Sequence, residues 1–141
     1  MVELLAVLVI LGILASLAAP SFNGVTARTS TRAALDQITA DIAYARMLAV
    51  REGRPALVDF VAAPAAYKVI VDPDVQKKIA KSVNLAGSYA GLQLTPPAGN
   101  QLRFNSRGML QPSGSVTIKA SRSSAVDSVV ISPLGHAYRA Y

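Results

Sequence analysis

The sequence predicts an α+β fold, in which a long N-terminal α-helix, hydrophobic in its first half, packs on a C-terminal antiparallel β-sheet head domain. Three observations predict this fold. No charged residue lies between Leu4 and Ala27, apolar residues then recur at helical spacing as far as residue 49, and short alternating runs follow Pro55. At 141 residues the chain is the size of one domain. We expect residues 1–24 to form a hydrophobic half-helix, residues 25–54 the amphipathic half of the same helix packed on the head, and residues 55–141 the β-rich globular head.

The first segment is long enough to cross a membrane. Leu4 to Ala19 is almost wholly apolar, and its extension to Phe22 reaches the roughly 17–25 residues that a spanning helix needs. The competing interpretation is a secretory signal peptide, because Ala18 and Ala19 resemble a small-residue cleavage region. However, the apolar run exceeds the roughly 7–15 residues usual there, and Glu3 stands where a basic residue is expected. We therefore expect a retained helix that holds the protein in a membrane.

Three residues set this segment apart from a plain apolar helix. Glu3 is an isolated carboxylate, which is costly in a hydrocarbon environment. It either lies at the membrane edge and reaches the headgroups, or it meets a positive partner when helices bundle. Gly12 and Pro20 lower helix propensity by about 1 and about 3 kcal/mol relative to alanine. The helix is therefore weakest in the stretch that ends at Pro20.

The second half of the helix carries one apolar stripe. Polar residues such as Asp41 and Arg46 fall outside the stripe, and Gly53-Arg54-Pro55 ends the helix. Together the two halves make a rod of roughly 50 residues, about 75 Å long at 1.5 Å per residue. The stripe residues follow one another at intervals of three and four, and we expect them to pack on the head: Leu35, Ile38, Ile42, Ala45 and Ala49.

Short runs that alternate between apolar and polar residues follow Pro55, separated by Gly, Pro, Asn and Ser, which is typical of antiparallel strands. Asp74–Val83 differs, because its apolar residues are spaced by four with lysines between them. A short helix and a basic loop fit this segment equally well. We expect strands at residues 56–61, 67–71, 91–95, 101–105, 115–120, 128–132 and 136–139, and a turn at residues 63–65.

The residue types of most active sites are scarce in this sequence. It has no cysteine and one histidine, His136, which excludes disulfides, thiolate metal sites and histidine-rich metal sites. The acidic residues of the head lack the paired spacing of acid–base catalysis, and no glycine opens a helix after a strand to hold a phosphate. We therefore expect no enzyme activity, no cofactor and no metal.

Met1 to Ala15, followed by Ala19-Pro20-Ser21-Phe22, resembles the N-terminal signature of type IV pilins and type II secretion pseudopilins. In that signature Glu-Leu-Leu opens an apolar helix shortly after the cleavage site. A proline stands about 17 residues after the glutamate, as Pro20 does after Glu3. The leader, the glycine before the cut and the methylated first residue of the family would precede Met1. We therefore expect either a truncated sequence or a Met1 that replaces the natural start.

The resemblance implies a structural subunit of a helical filament, built from copies of this chain and other pilins, in a type IV pilus-like or type II secretion pseudopilus assembly. It implies that Glu3 pairs with the N-terminal amine of a neighbouring subunit during assembly. It also implies that the helix loosens between Gly12 and Pro20 when the subunit leaves the inner membrane for a periplasmic or extracellular filament.

A weaker resemblance, in the head, is to the GspH/FimT-type branch of the family, and it rests on Phe104–Gly108 and Val129–Gly135. Some members of that branch bind DNA through a Gly-Arg-x-Arg element near the C-terminus. The corresponding residues here are Gly135–Tyr138, which lack both arginines, so this element does not support DNA binding.

The net charge of +6 nevertheless keeps a second function open, because distributed cations attract nucleic acid and anionic surfaces. The alternative function is a minor, tip-located pilin that binds DNA for uptake. A membrane-anchored domain that does not polymerise is a third interpretation. The candidate anion or DNA contacts are Lys77, Lys78, Lys81 and Arg139.

Overall fold

One long helix and a two-sheet head form the structure, a computed structural model that describes residues 2–139 and, for residues 15–23, the backbone alone. Helix α1 (Val2–Glu52) runs through both predicted halves. It ends at Gly53, which has a φ of 64° and is the left-handed residue that commonly follows a helix. The end of the helix therefore lies where the sequence predicts it.

The head consists of two antiparallel sheets. Five strands form the first sheet in the order β3-β2-β1-β5-β6, and four strands form the second in the order β4-β7-β8-β9. The α+β class predicted from the sequence, a long helix on an antiparallel β head, is confirmed. The elements after α1 are β1 (Ala56–Val61), β2 (Ala66–Val71), β3 (Lys78–Asn84), α2 (Leu85–Ser88), β4 (Gln93–Thr95), a 3₁₀ turn (Ala98–Asn100), β5 (Gln101–Phe104), β6 (Leu110–Gln111), β7 (Val116–Arg122), β8 (Ala125–Ile131) and β9 (Ala137–Arg139).

The second half of α1 lies against both sheets, and its apolar stripe is buried. Leu35 and Ile38 are 0% exposed and Ile42 is 1% exposed. The core around this stripe draws large side chains from both sheets, so burying one helix face holds the two sheets together. These side chains are Val58, Tyr67, Val69 and Phe104 from the first sheet and Ile118, Val129 and Ile131 from the second.

Strands β1 and β2 form the hairpin that the sequence predicts from two mainly apolar runs on either side of a turn. Val58 pairs with Val69 and Phe60 with Tyr67, and all four side chains are buried. The rings of Phe60 and Tyr67 lie 5.8 Å apart between centroids and are tilted by 44°. This geometry is favourable for two aromatic rings across a strand pair.

The interpretation of Asp74–Val83 as a helix or a basic loop is wrong from Lys78 onward, where strand β3 begins, whereas residues 74–77 form a turn. Every side chain of β3 except that of Val83 is exposed, so burial imposes no alternating pattern on it. The pairing with β2 also shifts by one residue, since Ile79 pairs with Ile70 and Lys81 with Val69. An exposed edge strand with such a bulge lacks the period-two signal by which strands are predicted.

Candidate assembly surface

The first part of α1 projects its apolar side chains into solvent. We call Val2–Leu14 the exposed half-helix. Each large apolar side chain in it is between 55% and 80% exposed. Burying one such side chain stabilises a protein by roughly 1.5–3 kcal/mol. The exposed half-helix therefore carries a strong driving force for contact with another apolar surface.

In the part of the chain whose side chains are described, no helix has the length and apolar character needed to cross a membrane.

Two of the residues predicted to act in assembly, Glu3 and Gly12, have few contacts within the subunit. Glu3 lies exposed in the first turn of α1, where a negative charge is favoured by the helix dipole. A Cβ placed on Gly12 would meet no atom within 4 Å, so no contact in this subunit requires glycine there. The side chain of Pro20 lies outside the described residues. The loosening of the helix between Gly12 and Pro20 concerns the filament and stays a prediction.

Arg46 contacts two turns of the head from the second half of α1. Its Nε donates a hydrogen bond to the carbonyl oxygen of Gly108 at 3.1 Å. Gly108 and Gly135 both have a positive φ, 76° and 77°. A Cβ on Gly135 would lie 2.9 Å from Cδ of Arg46 and 2.9 Å from the oxygen of Gly108, so only glycine fits. These turns belong to the two head segments in which the sequence resembles the GspH/FimT-type branch.

Asp41 connects α1 to the first sheet. It is 5% exposed, although it falls outside the apolar stripe. It accepts hydrogen bonds from the hydroxyl of Tyr67 and from Nζ of Lys81, both at 2.6 Å. Burial, reinforced by the hydrogen bond to the Asp41 carboxylate, raises the pKa of Tyr67 well above its ordinary value. This network satisfies a buried charge at the helix–sheet contact.

The structure does not gather the four predicted anion contacts into one cluster. Lys81 lies on β3, the edge of the first sheet, and its charge is matched by Asp41. Arg139 lies on β9, the edge of the second sheet. Its guanidinium is 2.6 Å from Asp36 and 3.7 Å from Asp127. Lys77 and Lys78 are exposed beside the first sheet. Anion or DNA binding by these four residues stays a prediction.

Two arginines that the sequence did not single out lie near Arg139. Arg28 and Arg32, on successive turns of α1, line a cavity of about 340 Å³ together with Arg139. Their spacing of four residues places them on one face of the helix. The spacing of Arg28 and Arg32 can be seen in the sequence, but only the fold brings Arg139 on β9 close to them.

The acidic residues of the head take part in structural contacts. Asp72 pairs with Arg54 at 2.5 Å, and Asp74 pairs with Arg103. Among the residues that the structure describes, no three histidine or acidic side chains lie close enough together to hold a metal ion. His136 is exposed in the turn before β9.

Comparison with known proteins identifies the family. A family model described as "Type II transport protein GspH" matches residues 34–135. A crystal structure of the type IV minor pilin FimU from Pseudomonas aeruginosa is similar, with a TM-score of 0.64 at 18% identity, covering 81% of this chain and 90% of that one. A second crystal form of FimU gives a TM-score of 0.59 at 17% identity, covering 78% and 92%. At these identities the structural likeness shows the fold alone. No curated protein matches with significance.

The resemblance to pilins and pseudopilins, which rests on the N-terminal motif, is confirmed by a match that lies elsewhere in the chain. The family model covers the second half of α1 from residue 34 and nearly all of the head. The chain therefore belongs to the GspH family of type IV pilins and type II secretion pseudopilins.

Proposed function

We propose that this chain is a structural subunit of a type IV pilus-like or type II secretion pseudopilus filament, and that it assembles through the exposed half-helix. The observation that carries the proposal is the contrast between the two halves of α1. Ile42 is 1% exposed in a complete core, whereas Leu8 is 58% exposed. The apolar core of the head is complete within one subunit, whereas the apolar side chains of the exposed half-helix remain exposed to solvent.

Before assembly, the first half of α1 holds the subunit in the inner membrane. The uncharged run from Leu4 to Ala27 contains 24 residues. As a helix it is about 36 Å long, which is enough for a hydrocarbon core of roughly 30 Å. During assembly the same apolar surface leaves the lipid and packs on equivalent helices in a periplasmic or extracellular filament. The apolar surface is then buried at both stages.

Glu3 directs assembly because its carboxylate is stabilised by pairing with a positive charge. A carboxylate among packed apolar helices is costly when it is alone, and an opposite charge nearby removes much of that cost. The proposed partner is the N-terminal amine of a neighbouring subunit. Because only one axial position of the neighbour presents this amine, the pair selects the register at which a new subunit joins.

The experiment is complementation of a strain that lacks the protein, with Glu3→Ala and, as a matched control, Glu52→Ala at the other end of α1. Glu52 pairs only with its exposed neighbour Arg51 among the described ion pairs. We expect Glu3→Ala to reach the membrane fraction at the normal level but to give few or no filaments in electron micrographs. Glu52→Ala should assemble normally. Filaments of normal number and length from Glu3→Ala would contradict the proposal.

A second experiment separates a filament subunit from an anchored domain that does not polymerise. Because the sequence has no cysteine, Leu8→Cys introduces a single thiol on the exposed half-helix. A flexible cross-linker that bridges two thiols should link copies of the chain when the assembly machinery is present, because a helical filament does not place the same residue of two subunits in direct contact. The same cysteine combined with Glu3→Ala should give little cross-linking. Monomer in both backgrounds would favour a simple anchor.

A further inference from the structure

The cavity at the end of the head nearest the first half of α1 has a basic lining. It lies between α1 and the β7–β8 hairpin and has a volume of about 340 Å³. We call it the arginine pocket. The side chains that matter for its chemistry are Arg28, Thr31, Arg32, Ser124, Asp127 and Arg139.

The positive charge of the arginine pocket is only partly neutralised. Arg139 is paired with Asp36 and Asp127. Arg28 and Arg32 are exposed, and neither makes an ion pair with another described residue. Like charges four residues apart repel one another on a helix. Two arginines that make no ion pair with a described residue therefore line a concave site, which favours an anion there.

The arginine pocket lies where the uncharged run of α1 ends. Arg28 is the first charged residue after Glu3. The β7–β8 hairpin lies beside it, since Nη1 of Arg122 donates a hydrogen bond to the hydroxyl of Ser30 at 2.7 Å. Val126, on the pocket lining, is 68% exposed. A subunit held in a bilayer through the uncharged run carries Arg28 next to the headgroups, and the pocket that Arg28 lines lies at the same level.

We propose that the arginine pocket binds the phosphate group of an anionic phospholipid before the subunit enters a filament. This inference rests on the proposed membrane stage of the subunit. Guanidinium groups suit the ligand because they form bidentate hydrogen bonds with phosphate oxygens. The pocket admits one headgroup, whereas duplex DNA needs cations spread along its backbone. The other three predicted cations, Lys77, Lys78 and Lys81, lie on or beside the other sheet.

The test is a titration of the full chain in a mild nonionic detergent with dihexanoyl phosphatidylglycerol, followed by NMR of the arginine side chains. We expect saturable binding, which Arg28→Gln combined with Arg32→Gln weakens roughly tenfold or more. The matched control is Arg51→Gln combined with Arg107→Gln, which removes two exposed arginines elsewhere. The control should change the affinity less than twofold.

Three further ligands distinguish the source of the phosphate. Dihexanoyl phosphatidylcholine, whose choline neutralises the phosphate, and inorganic phosphate should both bind much more weakly than phosphatidylglycerol. Inorganic phosphate that binds as tightly as the lipid would overturn the assignment to a lipid. A DNA duplex that binds more tightly, and whose binding the pocket variant abolishes, would assign the pocket to nucleic acid and overturn it as well. If both double variants weaken binding equally, binding depends on net charge alone, and the proposal is contradicted.

Failure of this inference and failure of the proposed function give different results. The same full-length chain is reconstituted into bilayers of phosphatidylglycerol and phosphatidylcholine and is tested for resistance to carbonate extraction. Insertion without saturable lipid binding in detergent would refute only the arginine pocket. A chain that does not insert would refute the membrane stage, and with it the place of the pocket at the headgroups.

Discussion

Replacing Ile42 and Leu8 by alanine tests the division of α1 into a core half and an assembly half. Ile42 is 1% exposed within the core, and Leu8 is 58% exposed. Ile42→Ala removes three buried carbon groups, which costs about 2.5 kcal/mol in transfer free energy. The cavity raises the cost to about 3–4 kcal/mol, within the usual range for such changes. That is a large part of the roughly 5–15 kcal/mol that holds a domain together.

The assay is thermal unfolding of the full chain in detergent, followed by near-ultraviolet circular dichroism of its tyrosines. A domain of this size loses roughly 3–4 °C in Tm for each kcal/mol, so Ile42→Ala should unfold about 10 °C or more below the parent. Leu8→Ala should unfold within about 2 °C of it, because that side chain has few partners in the subunit. In the complementation strain, Leu8→Ala should lower filament yield through lost packing between subunits.

The reasoning would be refuted by either of two results. An unchanged Tm for Ile42→Ala would show that the apolar stripe does not support the head. A Tm for Leu8→Ala as low as that of Ile42→Ala would show that the exposed half-helix folds back onto the head. In both cases the separation between a folded head and an assembly helix would be wrong.

Three more predictions follow from the head. The raised pKa of Tyr67 stabilises the fold below the ordinary value of 10.0. As pH rises above 10, the unfolded chain loses this proton and the folded chain keeps it, so stability should fall in alkaline urea titrations. Tyr67→Phe should weaken this dependence of stability on pH. It should also lower the free energy of unfolding by about 1–3 kcal/mol at neutral pH, because a hydrogen bond to the charged Asp41 is lost. An unchanged dependence on pH would contradict the prediction. Gly135→Ala should cost about 2–3 kcal/mol in urea unfolding, since alanine is strained at positive φ and its Cβ would meet Arg46. Gly114→Ala, in open space, should cost less than about 0.5 kcal/mol, and equal effects would refute the steric argument. A fragment of residues 25–141 should keep the near-ultraviolet spectrum of the full chain, and a molten spectrum would contradict an independent head.

The elements that the sequence predicts well are those whose burial is periodic over a long stretch. The stripe from Leu35 to Ala49 repeats through four turns of helix, and every one of its predicted members is buried. The β1–β2 hairpin is predicted by two mainly apolar runs on either side of a turn, and most residues of both strands are buried. Strand β3 could not be predicted in this way, since it forms by backbone pairing at an exposed edge.

The contacts that hold the helix on the head depend on pairs of residues far apart in the sequence. Lys81 is 40 residues from Asp41, and Gly108 is 62 residues from Arg46. Asp41 falls outside the apolar stripe, so its sequence position predicts exposure. It is buried because Tyr67 and Lys81 supply donors that only the folded sheet brings to it. No local pattern contains that information. The N-terminal motif, by contrast, is contiguous and is read directly from the sequence.

The separation of the two halves of α1 has a consequence for assembly. The polar groups buried at the helix–head contact are satisfied by partners in the same subunit, as Asp41 is by Tyr67 and Lys81. The head therefore needs no neighbour to complete its core. On the proposed function, a subunit in the membrane can fold fully before it polymerises, and assembly replaces lipid by protein around the exposed half-helix. If the chain assembles as proposed, the free energy of filament formation comes from helix packing and the Glu3 pair.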